Sequence, residues 1–423
     1  MVHGGLCLAH PDDTTTVLVA GAMPDERVEA VLRYRKGATW FADTVTVMRA
    51  SPDRVTPPCP YVPECGGCQL QHTSYARQLE LKVDIVRDAL QCERLTSLPA
   101  IRVLGMSDPW RYRRRGEFHV VPRVAGVADS SLGFNRARSW RPIAVEDCLI
   151  HDTRIAAALP VLRDMVRQGA TSRLSTLHIT MGDAGGELLV RPKPSNALDQ
   201  DAVERASLAL PGDMHITTHS TSITWQGHTF RVSPETFMQV NVKQLDALYG
   251  TVMQSLAGAA NLRVIDAYAG VGMLAVHLAV QGAHVTCVES NRAAARLGTL
   301  NARLNDVDAR VEYVAEPVEH ALPRVAAGRG IDALVLDPPR AGCSGQVTGW
   351  IALAGPPIVV YVSCDPATLA RDLHVLVGSG PYELAGLTVV DMFPQTYHVE
   401  TVAELRRRDA KQAVGGGVAP GGP

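Results

Sequence analysis

The sequence lacks any long uninterrupted run of apolar residues. No stretch approaches the roughly 20 residues that a membrane-spanning helix requires. The first residues, Met1-Val2-His3-Gly4-Gly5, also lack the basic and apolar regions of a secretory signal. We therefore expect a cytoplasmic protein with no membrane partner, and we expect it to be monomeric. The 423 residues, of which 46% are hydrophobic and 20% charged, are enough for two or three globular domains.

An excess of basic residues is missing as well, because the formal net charge is -2. Proteins that bind polyanions non-specifically usually carry such an excess. Any contact with a polyanion must therefore come from local patches. The densest basic run is Arg111-Tyr112-Arg113-Arg114-Arg115, and charge alone favours its interpretation as a solvated strand or turn.

The nine cysteines do not indicate a disulfide framework, since a cytosolic chain rarely forms one. Cys59, Cys65 and Cys68 lie in a loop rich in Pro and Gly, where tight turns let several thiolates converge on one centre. A closed site needs a fourth ligand, and Cys148 is the best candidate. Three further cysteines are predicted to be small core residues: Cys7, Cys92 and Cys287.

This cysteine pattern favours a [4Fe–4S] cluster over zinc. Structural zinc sites usually present two Cys-x2-Cys-like pairs, whereas here one pair is accompanied by two single cysteines. The Cys-x3-Cys-x2-Cys spacing of radical enzymes is absent, and protein thiolates would occupy all four iron positions. We therefore predict a structural cluster rather than a catalytic one. The alternative is three unrelated thiols in one loop.

From about Arg231 the chain alternates apolar strands with amphipathic helices, the pattern of a doubly wound α/β sheet. A strand over 262–265 leads into a turn with Asp266, Gly270 and Gly272, and a helix over 273–280 follows. The next strand, 283–288, ends at Glu289, an acid suited to accept ribose hydroxyls. No phosphate-binding Lys-Ser/Thr follows the glycines, and an acid rather than a third glycine stands at the turn. The turn therefore favours a cationic adenosyl ligand such as S-adenosylmethionine.

Three short strings near the C-terminal end carry reactive groups: Asp337-Pro338-Pro339-Arg340, Ser363-Cys364-Asp365-Pro366 and His398-Val399-Glu400. The first two follow apolar runs typical of buried parallel strands, 333–336 and 358–362. A thiol and a carboxylate at strand ends are suited to covalent catalysis, in which Cys364 attacks and Glu400 moves a proton. Cys343, in a Gly/Ser loop, is a second and weaker candidate thiol.

In their joint order and spacing these motifs resemble the RNA uracil-C5 methyltransferases that carry an iron–sulfur cluster, above all the 23S ribosomal RNA enzymes. The resemblance covers nearly the whole chain and includes Phe237-Met238-Gln239-Val240-Asn241, which opens the catalytic domain. It implies a class I S-adenosylmethionine-dependent methyltransferase fold with an α/β Rossmann-like sheet. It also implies a β-rich central domain and a small OB-like barrel at the N-terminus, the TRAM domain.

The resemblance further implies roles for single residues. Cys364 would be the nucleophile and Glu400 the base, and Asp337 would hydrogen-bond the uracil edge and help to organise the cofactor. The S-adenosylmethionine contacts would be Gln239, Tyr268, Gly270, Glu289, Glu316 and Asp337, with Met273 at a position where some members have Asn. The ligands of the [4Fe–4S] cluster would be Cys59, Cys65, Cys68 and Cys148.

The implied reaction begins with addition of the Cys364 thiolate to C6 of uracil, which makes C5 nucleophilic enough to take the methyl group. Glu400 then removes the C5 proton, and Cys364 is released. The target base must leave its stack, so that single strands and loops of RNA suit the enzyme better than duplex. Phe237 or Tyr397 would stack on the vacated position.

Four segments are predicted: a TRAM-like barrel over 1–55, a cluster-bearing central domain over 56–230, the methyltransferase domain over 231–408 and a disordered tail over 409–423. The expected partner is RNA, with 23S ribosomal RNA preferred and transfer RNA as the rival substrate. A DNA cytosine-C5 enzyme would place its thiol in a Pro-Cys context, and amine methylation usually employs Asn-Pro-Pro-aromatic, so neither fits. A non-catalytic iron–sulfur RNA-binding protein remains as the alternative, and it predicts loss of Cys364 or Glu400.

Overall fold

The computed structural model describes residues 1–408 except for residue 63, residues 122–130, residues 170–172, and residues 257 and 259. The tail over 409–423, for which disorder is predicted, lies outside the described residues. Among the described helices, none combines the length and the apolar character needed to cross a membrane.

A four-stranded sheet forms the N-terminal unit, in the spatial order β1-β2-β4-β3. Its strands are β1 (Leu6–Ala9), β2 (Thr16–Ala20), β3 (Arg27–Lys36) and β4 (Thr39–Arg49). Val17 and Val19 alternate into a small core that also holds Ala42, whereas most of β3 is exposed. Closure of this unit into a barrel stays a prediction.

A six-stranded sheet, in the order β11-β10-β9-β6-β7-β8, forms the central unit. Two elements come before it, α1 (Tyr75–Cys92) and β5 (Ile101–Leu104). The central elements are β6 (Arg115–Val121), β7 (Ser131–Asn135), β8 (Pro142–Ala144), α2 (Thr153–Gly169), β9 (Thr176–Met181), β10 (Glu187–Lys193), α3 (Gln200–Ala209) and β11 (His215–Thr217). Both helices pack on the sheet, since Leu159 and Ala202 share a core with Phe118 and Leu177.

An eight-stranded α/β sheet, in the order β16-β15-β14-β17-β18-β20-β19-β5, forms the C-terminal unit. A hairpin of β12 (Thr221–Trp225) and β13 (His228–Val232) comes before it. The helices are α4 (Leu245–Ser255), α5 (Met273–Val280), α6 (Arg292–Leu304), α7 (Val318–Ala326), α8 (Gly345–Ala354) and α9 (Pro366–Leu373). The strands are β14 (Arg263–Ala267), β15 (His284–Val288), β16 (Val311–Val314), β17 (Ala333–Leu336), β18 (Ile358–Ser363), β19 (Tyr382–Val390) and β20 (Glu400–Arg407). The five strands from β16 to β18 run parallel, which confirms the predicted doubly wound sheet.

Two elements from before residue 105 complete this C-terminal sheet. Strand β5 pairs in parallel with β19 and forms an edge of the sheet. Val86 and Leu90 of α1 share a buried core with Leu369 and Leu373 of α9. The sheet that carries the reactive motifs is therefore built from two distant parts of the chain.

Several predicted elements are confirmed at both ends, including the helix over 273–280 and the strand over 333–336. The prediction that Cys92 is a core residue is wrong. Cys92 is the last residue of α1 and its thiol is exposed, because the apolar face of that helix ends at Leu90. Cys7 and Cys287 are buried, as predicted.

The basic run over 111–115 is not a solvated strand or turn. Arg111 forms an ion pair of 2.5 Å with Asp147, and Arg114 pairs with Asp183. Arg115 donates to the carbonyl oxygens of residues 234 and 236, at 3.1 and 2.5 Å. Arg111 and Arg114 therefore pair within the central unit, whereas Arg115 joins it to the segment that leads into the C-terminal unit. A count of charges does not reveal these roles.

Candidate active site and cysteine site

The reactive motifs meet at the carboxyl edge of the C-terminal sheet, because β14, β17 and β18 are neighbouring parallel strands. Their registers place Ala267 beside Leu336, and Leu336 beside Tyr361. The loops that follow these strands therefore emerge side by side. In open α/β sheets ligands bind at this edge.

The turn after β14 is a tight one. Tyr268, Gly270 and Gly272 all have left-handed backbone conformations, with φ of 66°, 55° and 83°. The N–H of Gly270 donates to one carboxylate oxygen of Glu289 at 2.9 Å, and the other oxygen accepts the N–H of Asn291 at 2.7 Å. Glu289 therefore ties the glycine turn to the end of β15, so that two predicted cofactor residues are in direct contact.

The Ser-Cys-Asp-Pro string forms a turn between β18 and α9. Ser363 Oγ donates to the carbonyl oxygen of Asp365 at 3.0 Å. The Asp365 carboxylate in turn caps α9 by accepting the N–H groups of residues 367 and 368, both at 3.0 Å. Pro366 occupies the first turn of the helix, where its missing N–H costs nothing. Cys364 is thus held between a strand end and a helix start, with its thiol partly exposed.

Strand pairing brings the Cys364 and Glu400 segments together. In the antiparallel ladder of β18 and β20, Ser363 pairs with Thr401. Cys364 and Glu400 are therefore the next residues beyond this pair, one on each strand segment. Burial, followed by the negative charge of Glu400, raises the pKa of the Cys364 thiol to about 11. The pKa of the buried Glu400 carboxyl lies well above its usual range because of burial and the nearby Asp337.

Asp337 is close enough to Cys364 and Glu400 for its charge to act on both, and it also contacts Gln239. The Gln239 amide nitrogen approaches a carboxylate oxygen of Asp337 at 3.5 Å, a long hydrogen bond. The surrounding protein atoms raise the pKa of Asp337 to about 7, although part of the side chain reaches solvent, and Gln239 opposes the rise. Strongly shifted pKa values cluster at catalytic sites, and here two carboxyl groups and a thiol with raised pKa values lie close together.

Arg340, whose charge acts on the Cys364 thiol, lies in a group of aromatic and imidazole side chains. Arg340 Nη2 lies 3.2 Å from His398 Nδ1, and burial together with Arg340 lowers the pKa of His398 to about 3. His398 is therefore neutral, which agrees with a structural hydrogen-bonding role. The ring of Tyr397 is 4.2 Å from that of His398 and 5.3 Å from that of His3. The N-terminal segment thus reaches the edge of the sheet that carries Cys364.

Two candidate residues lie apart from this direct contact network. Glu316 follows β16, and both of its carboxylate oxygens accept a hydrogen bond from Nη2 of Arg324 on α7, each at 2.9 Å. Its contact with a cofactor stays a prediction. Cys343, the second candidate thiol, is buried, and its N–H donates to Asp372 at 2.8 Å. Burial raises the pKa of Cys343 to about 12, so that it is a poorer nucleophile than Cys364.

Asp266 is a residue that the list of predicted contacts omitted. It is buried at the end of β14, and among the described residues its Oδ2 atom has no hydrogen-bond partner. Burial, then the charges of Asp337 and Glu289, raise its pKa to about 8. The feature of the sequence that could have identified Asp266 is the position of an acidic residue at the end of a strand, directly before the glycine turn. An unpartnered carboxylate oxygen beneath this turn makes Asp266 a further candidate for contact with the cofactor.

The four predicted cluster cysteines line one cavity of about 190 Å³. The loop around them is held by backbone bonds, with Cys65 N–H donating to Tyr61 at 2.8 Å and Gly66 N–H to Asn135 at 2.9 Å. The N–H of Gly67 points at the sulfur of Cys65, at 3.4 Å. His151, whose ring nitrogens have no partner among the described residues, also borders this cavity.

The four cysteines that line the cavity are the donor type that a metal cluster requires. Burial raises the pKa of Cys68 to about 12 and that of Cys148 to about 11. Nowhere in the described ranges do three His, Cys, Asp or Glu side chains converge closely enough to hold one ion. The sulfur donors and the N–H group aimed at Cys65 suit a thiolate-bound cluster. The cluster itself stays a prediction.

Comparison with known proteins gives a consistent result. Residues 213–408 match the family described as tRNA (Uracil-5-)-methyltransferase. An uncharacterized RNA methyltransferase of Halalkalibacterium halodurans is 33% identical, over 97% of this chain and 96% of its own. The 23S rRNA (uracil(1939)-C(5))-methyltransferase RlmD of Alkalilimnicola ehrlichii is 33% identical, over 96% of this chain and 94% of its own.

A solved structure shares the fold along most of the chain. The tRNA (uracil-54, C5)-methyltransferase of Pyrococcus abyssi, in complex with S-adenosyl-L-homocysteine, has a TM-score of 0.71 at 22% identity. The match covers 95% of this chain and 100% of that one.

The sheet order and the site at its carboxyl edge define a class I S-adenosylmethionine-dependent methyltransferase, which confirms the predicted fold class. The chain belongs to the RNA uracil-C5 methyltransferase family. It is therefore an enzyme that uses S-adenosylmethionine to methylate uracil in RNA.

Proposed function

We propose that the enzyme methylates a uridine of 23S ribosomal RNA through a covalent adduct on Cys364. The single observation that carries the mechanism is the juxtaposition of Cys364, Glu400 and Asp337 at one strand edge. Support for the substrate comes from RlmD, which is named for 23S rRNA and aligns along more than nine-tenths of both chains. Transfer RNA is the second candidate, because the matching family is described by that substrate.

In the proposed reaction the Cys364 thiol loses its proton to water, and its sulfur adds to C6 of uracil. The resulting enolate attacks the methyl group of S-adenosylmethionine from C5, the sulfonium S–CH3 bond breaks, and S-adenosylhomocysteine leaves. Glu400 then removes the remaining C5 proton, and the C6–S bond breaks to restore the double bond and the thiolate. A carboxylate with a raised pKa is a stronger base than an ordinary one, so the burial of Glu400 favours this proton transfer.

Asp337 and Gln239 are proposed to orient the two reactants. A carboxyl group with a pKa of about 7 is partly protonated near neutrality, so Asp337 can both donate to and accept from the polar edge of uracil. S-adenosylmethionine would lie over the glycine turn, next to Tyr268, Gly270 and Glu289. The exposed Phe237 borders a cavity of about 370 Å³ between the central and C-terminal units. We assign a base next to the flipped uracil to this cavity, because none of Cys364, Glu400 and Asp337 lines it.

We also propose that the four cysteines bind a [4Fe–4S] cluster with a structural role. When bound, the cluster would connect the loop over 59–68 to the segment around Cys148. Arg111 links that segment to the basic run over 111–115. Its side chain pairs with Asp147 and donates to the carbonyl oxygen of Cys148 at 3.1 Å. No catalytic step depends on the cluster.

The substrate is tested with protein purified without oxygen and S-adenosylmethionine. Unmodified 23S rRNA and transfer RNA are each incubated with it, digested and searched for 5-methyluridine by mass spectrometry. We expect product from 23S rRNA and none from transfer RNA. Product from transfer RNA alone would refute the substrate while leaving the chemistry in place.

The mechanism is tested with two variants, Glu400→Gln and Cys364→Ala. Glu400→Gln can form the methylated adduct but cannot remove the C5 proton, so it accumulates a protein–RNA complex that survives denaturation. Cys364→Ala forms no such complex and no 5-methyluridine. Methylation by Cys364→Ala at more than a trace of the wild-type rate would refute the covalent mechanism.

A further inference from the structure

Trp140 stands at the tip of the β7–β8 hairpin and is 93% exposed, far more than a tryptophan usually is. The tip itself is well ordered by hydrogen bonds. Arg136 N–H donates to the carbonyl of Arg141 at 2.9 Å, and Ser139 N–H donates to that of Arg136 at 3.1 Å. Arg141 N–H donates to Ser139 Oγ at 3.1 Å. The indole is therefore presented to solvent on a fixed turn, which lowers the entropic cost of using it as a contact.

A groove of about 550 Å³ runs beside this indole, between the hairpin and the cysteine loop. We name it the Trp140 groove, and its lining residues are Gly66, Gly67, His119, Phe134, Asn135, Arg136, Arg138, Ser139 and Trp140. Three of them carry aromatic rings, and the Asn135 amide bonds the His119 ring at 3.2 Å. Aromatic faces together with amide and imidazole groups are what proteins use to hold unstacked bases.

The charge around the groove is positive. Arg136 pairs with Glu64, while Arg33 and Arg138 share Asp43 of the N-terminal sheet. The Arg141 side chain is exposed and forms no ion pair within the described ranges. Four arginines against two carboxylates leave a local net charge of two, in a chain whose overall charge is -2. Exposed ion pairs of this kind contribute little energy, so their arginines are available to phosphate.

One strand connects the groove to the cavity at Phe237. Arg115, Glu117 and His119 alternate along β6 and therefore lie on one face of it. Arg115 and Glu117 border the cavity at Phe237, whereas His119 borders the Trp140 groove. Since a strand advances roughly 7 Å per two residues, the two sites are close enough for one extended RNA strand to occupy both.

We propose that the Trp140 groove is a second RNA-binding subsite, in which a base stacks on Trp140 while the arginines contact the adjacent phosphates. The subsite would hold a nucleotide flanking the target uridine and would steady the strand while that uridine is flipped. This inference rests on RNA being the substrate and does not depend on which RNA it is. It also does not depend on the covalent step at Cys364.

The test measures the affinity of the full-length protein for a labelled single-stranded RNA of mixed sequence. Trp140→Ala is expected to bind roughly 5- to 140-fold more weakly, the range expected for loss of one base stack. Trp140→Phe keeps an aromatic face and should retain most of the affinity. Leu208→Ala, which truncates a 90% exposed side chain on α3 of the same unit, should bind like the wild type. At saturating RNA, Trp140→Ala should methylate at the wild-type rate, with a raised KM.

The phosphate contacts have a separate readout. Arg141→Gln should lower the slope of log Kd against log salt concentration by about 0.7, the value for one phosphate contact on a single strand. Wild-type affinity in Trp140→Ala would refute the stacking, as would equal weakening in Trp140→Ala and Leu208→Ala. Unchanged RNA affinity accompanied by loss of a self-associated species in Trp140→Ala would assign the surface to a protein contact instead.

Discussion

Lys82 on α1 and Asp391, directly after β19, form an ion pair that is fully buried, with Nζ 2.6 Å from Oδ1. Tyr75 Oη donates to the other carboxylate oxygen at 3.0 Å, and the Lys82 ammonium also donates to the carbonyl of Phe393 at 3.0 Å. Asp391 starts the loop that leads to Glu400. The pair therefore fixes a helix from the first quarter of the chain against the loop that carries the proposed base.

Lys82→Ala should lower the free energy of unfolding by about 3–5 kcal/mol, because it leaves the Asp391 carboxylate buried without its cation. Chemical denaturation of the two proteins measures the difference. Arg77→Ala is the control, since it breaks the exposed pair between Arg77 and Glu80 on the same helix and should cost no more than about 1 kcal/mol. Equal losses in both variants would contradict the structural role of the buried pair.

The rate of methylation should rise with pH. The pKa of Cys364 is raised to about 11 and that of Glu400 is raised well above its usual range. Both groups act in their deprotonated forms, so below these pKa values their active fraction grows with pH. We expect kcat/KM for RNA to increase from about pH 7 to about pH 9 at constant ionic strength. A flat profile over this interval would show that neither ionisation limits the reaction.

Asp266→Asn should stabilise the enzyme without ligand at neutral pH. The pKa of Asp266 is about 8 in the folded protein, against 3.8 for an ordinary aspartate. The stability that comes from protonated Asp266 is complete below about pH 4 and is lost as the pH rises through 8. Asparagine has no charge to bury, so thermal unfolding midpoints should fall less steeply with pH in the variant. Replacing the exposed Asp88 by Asn should leave the wild-type pH dependence unchanged, and a similar change in both variants would contradict the assignment.

Cys68→Ala should lose iron and acid-labile sulfide if the cysteine cavity binds a cluster, and its unfolding midpoint should drop. Iron analysis and the visible absorption of protein purified without oxygen measure this directly. Cys92→Ala removes an exposed thiol of the same chain and should keep the wild-type iron content. Colourless, iron-free wild-type protein prepared from iron-replete cells would contradict the cluster.

The alternation of apolar strands and helices predicted the C-terminal sheet well, because each element there is specified by its own neighbours. The helix over 273–280 begins at the glycine turn, and the strand over 333–336 is four buried residues in a row. The proximity of Cys364 and Glu400 needed the strand pairing, since Glu400 lies on an antiparallel strand whose register no local pattern sets. The motifs nevertheless indicated both residues.

Contacts between distant segments were beyond the reach of local patterns. Lys82 looks like an ordinary solvated lysine of an amphipathic helix, and its partner is more than three hundred positions away. The basic run over 111–115 looked solvated for the same reason, since Asp147 and Asp183 come much later in the chain. Cys92 shows the opposite error, because an apolar neighbourhood in sequence did not mean a buried face.

The pairing of β5 with β19, together with the packing of α1 on α9, has a consequence for synthesis on the ribosome. The chain emerges from its N-terminus, so the helix over 75–92 is made long before the strands that cover it. Until Asp391 is translated, Lys82 has no anionic partner, and until α9 is translated, Val86 and Leu90 lack the helix on which they pack. Helix α1 can therefore reach its native packing only after the last strands of the sheet have been made. A fragment that starts at residue 231 would lack the edge strand β5 and the helix α1.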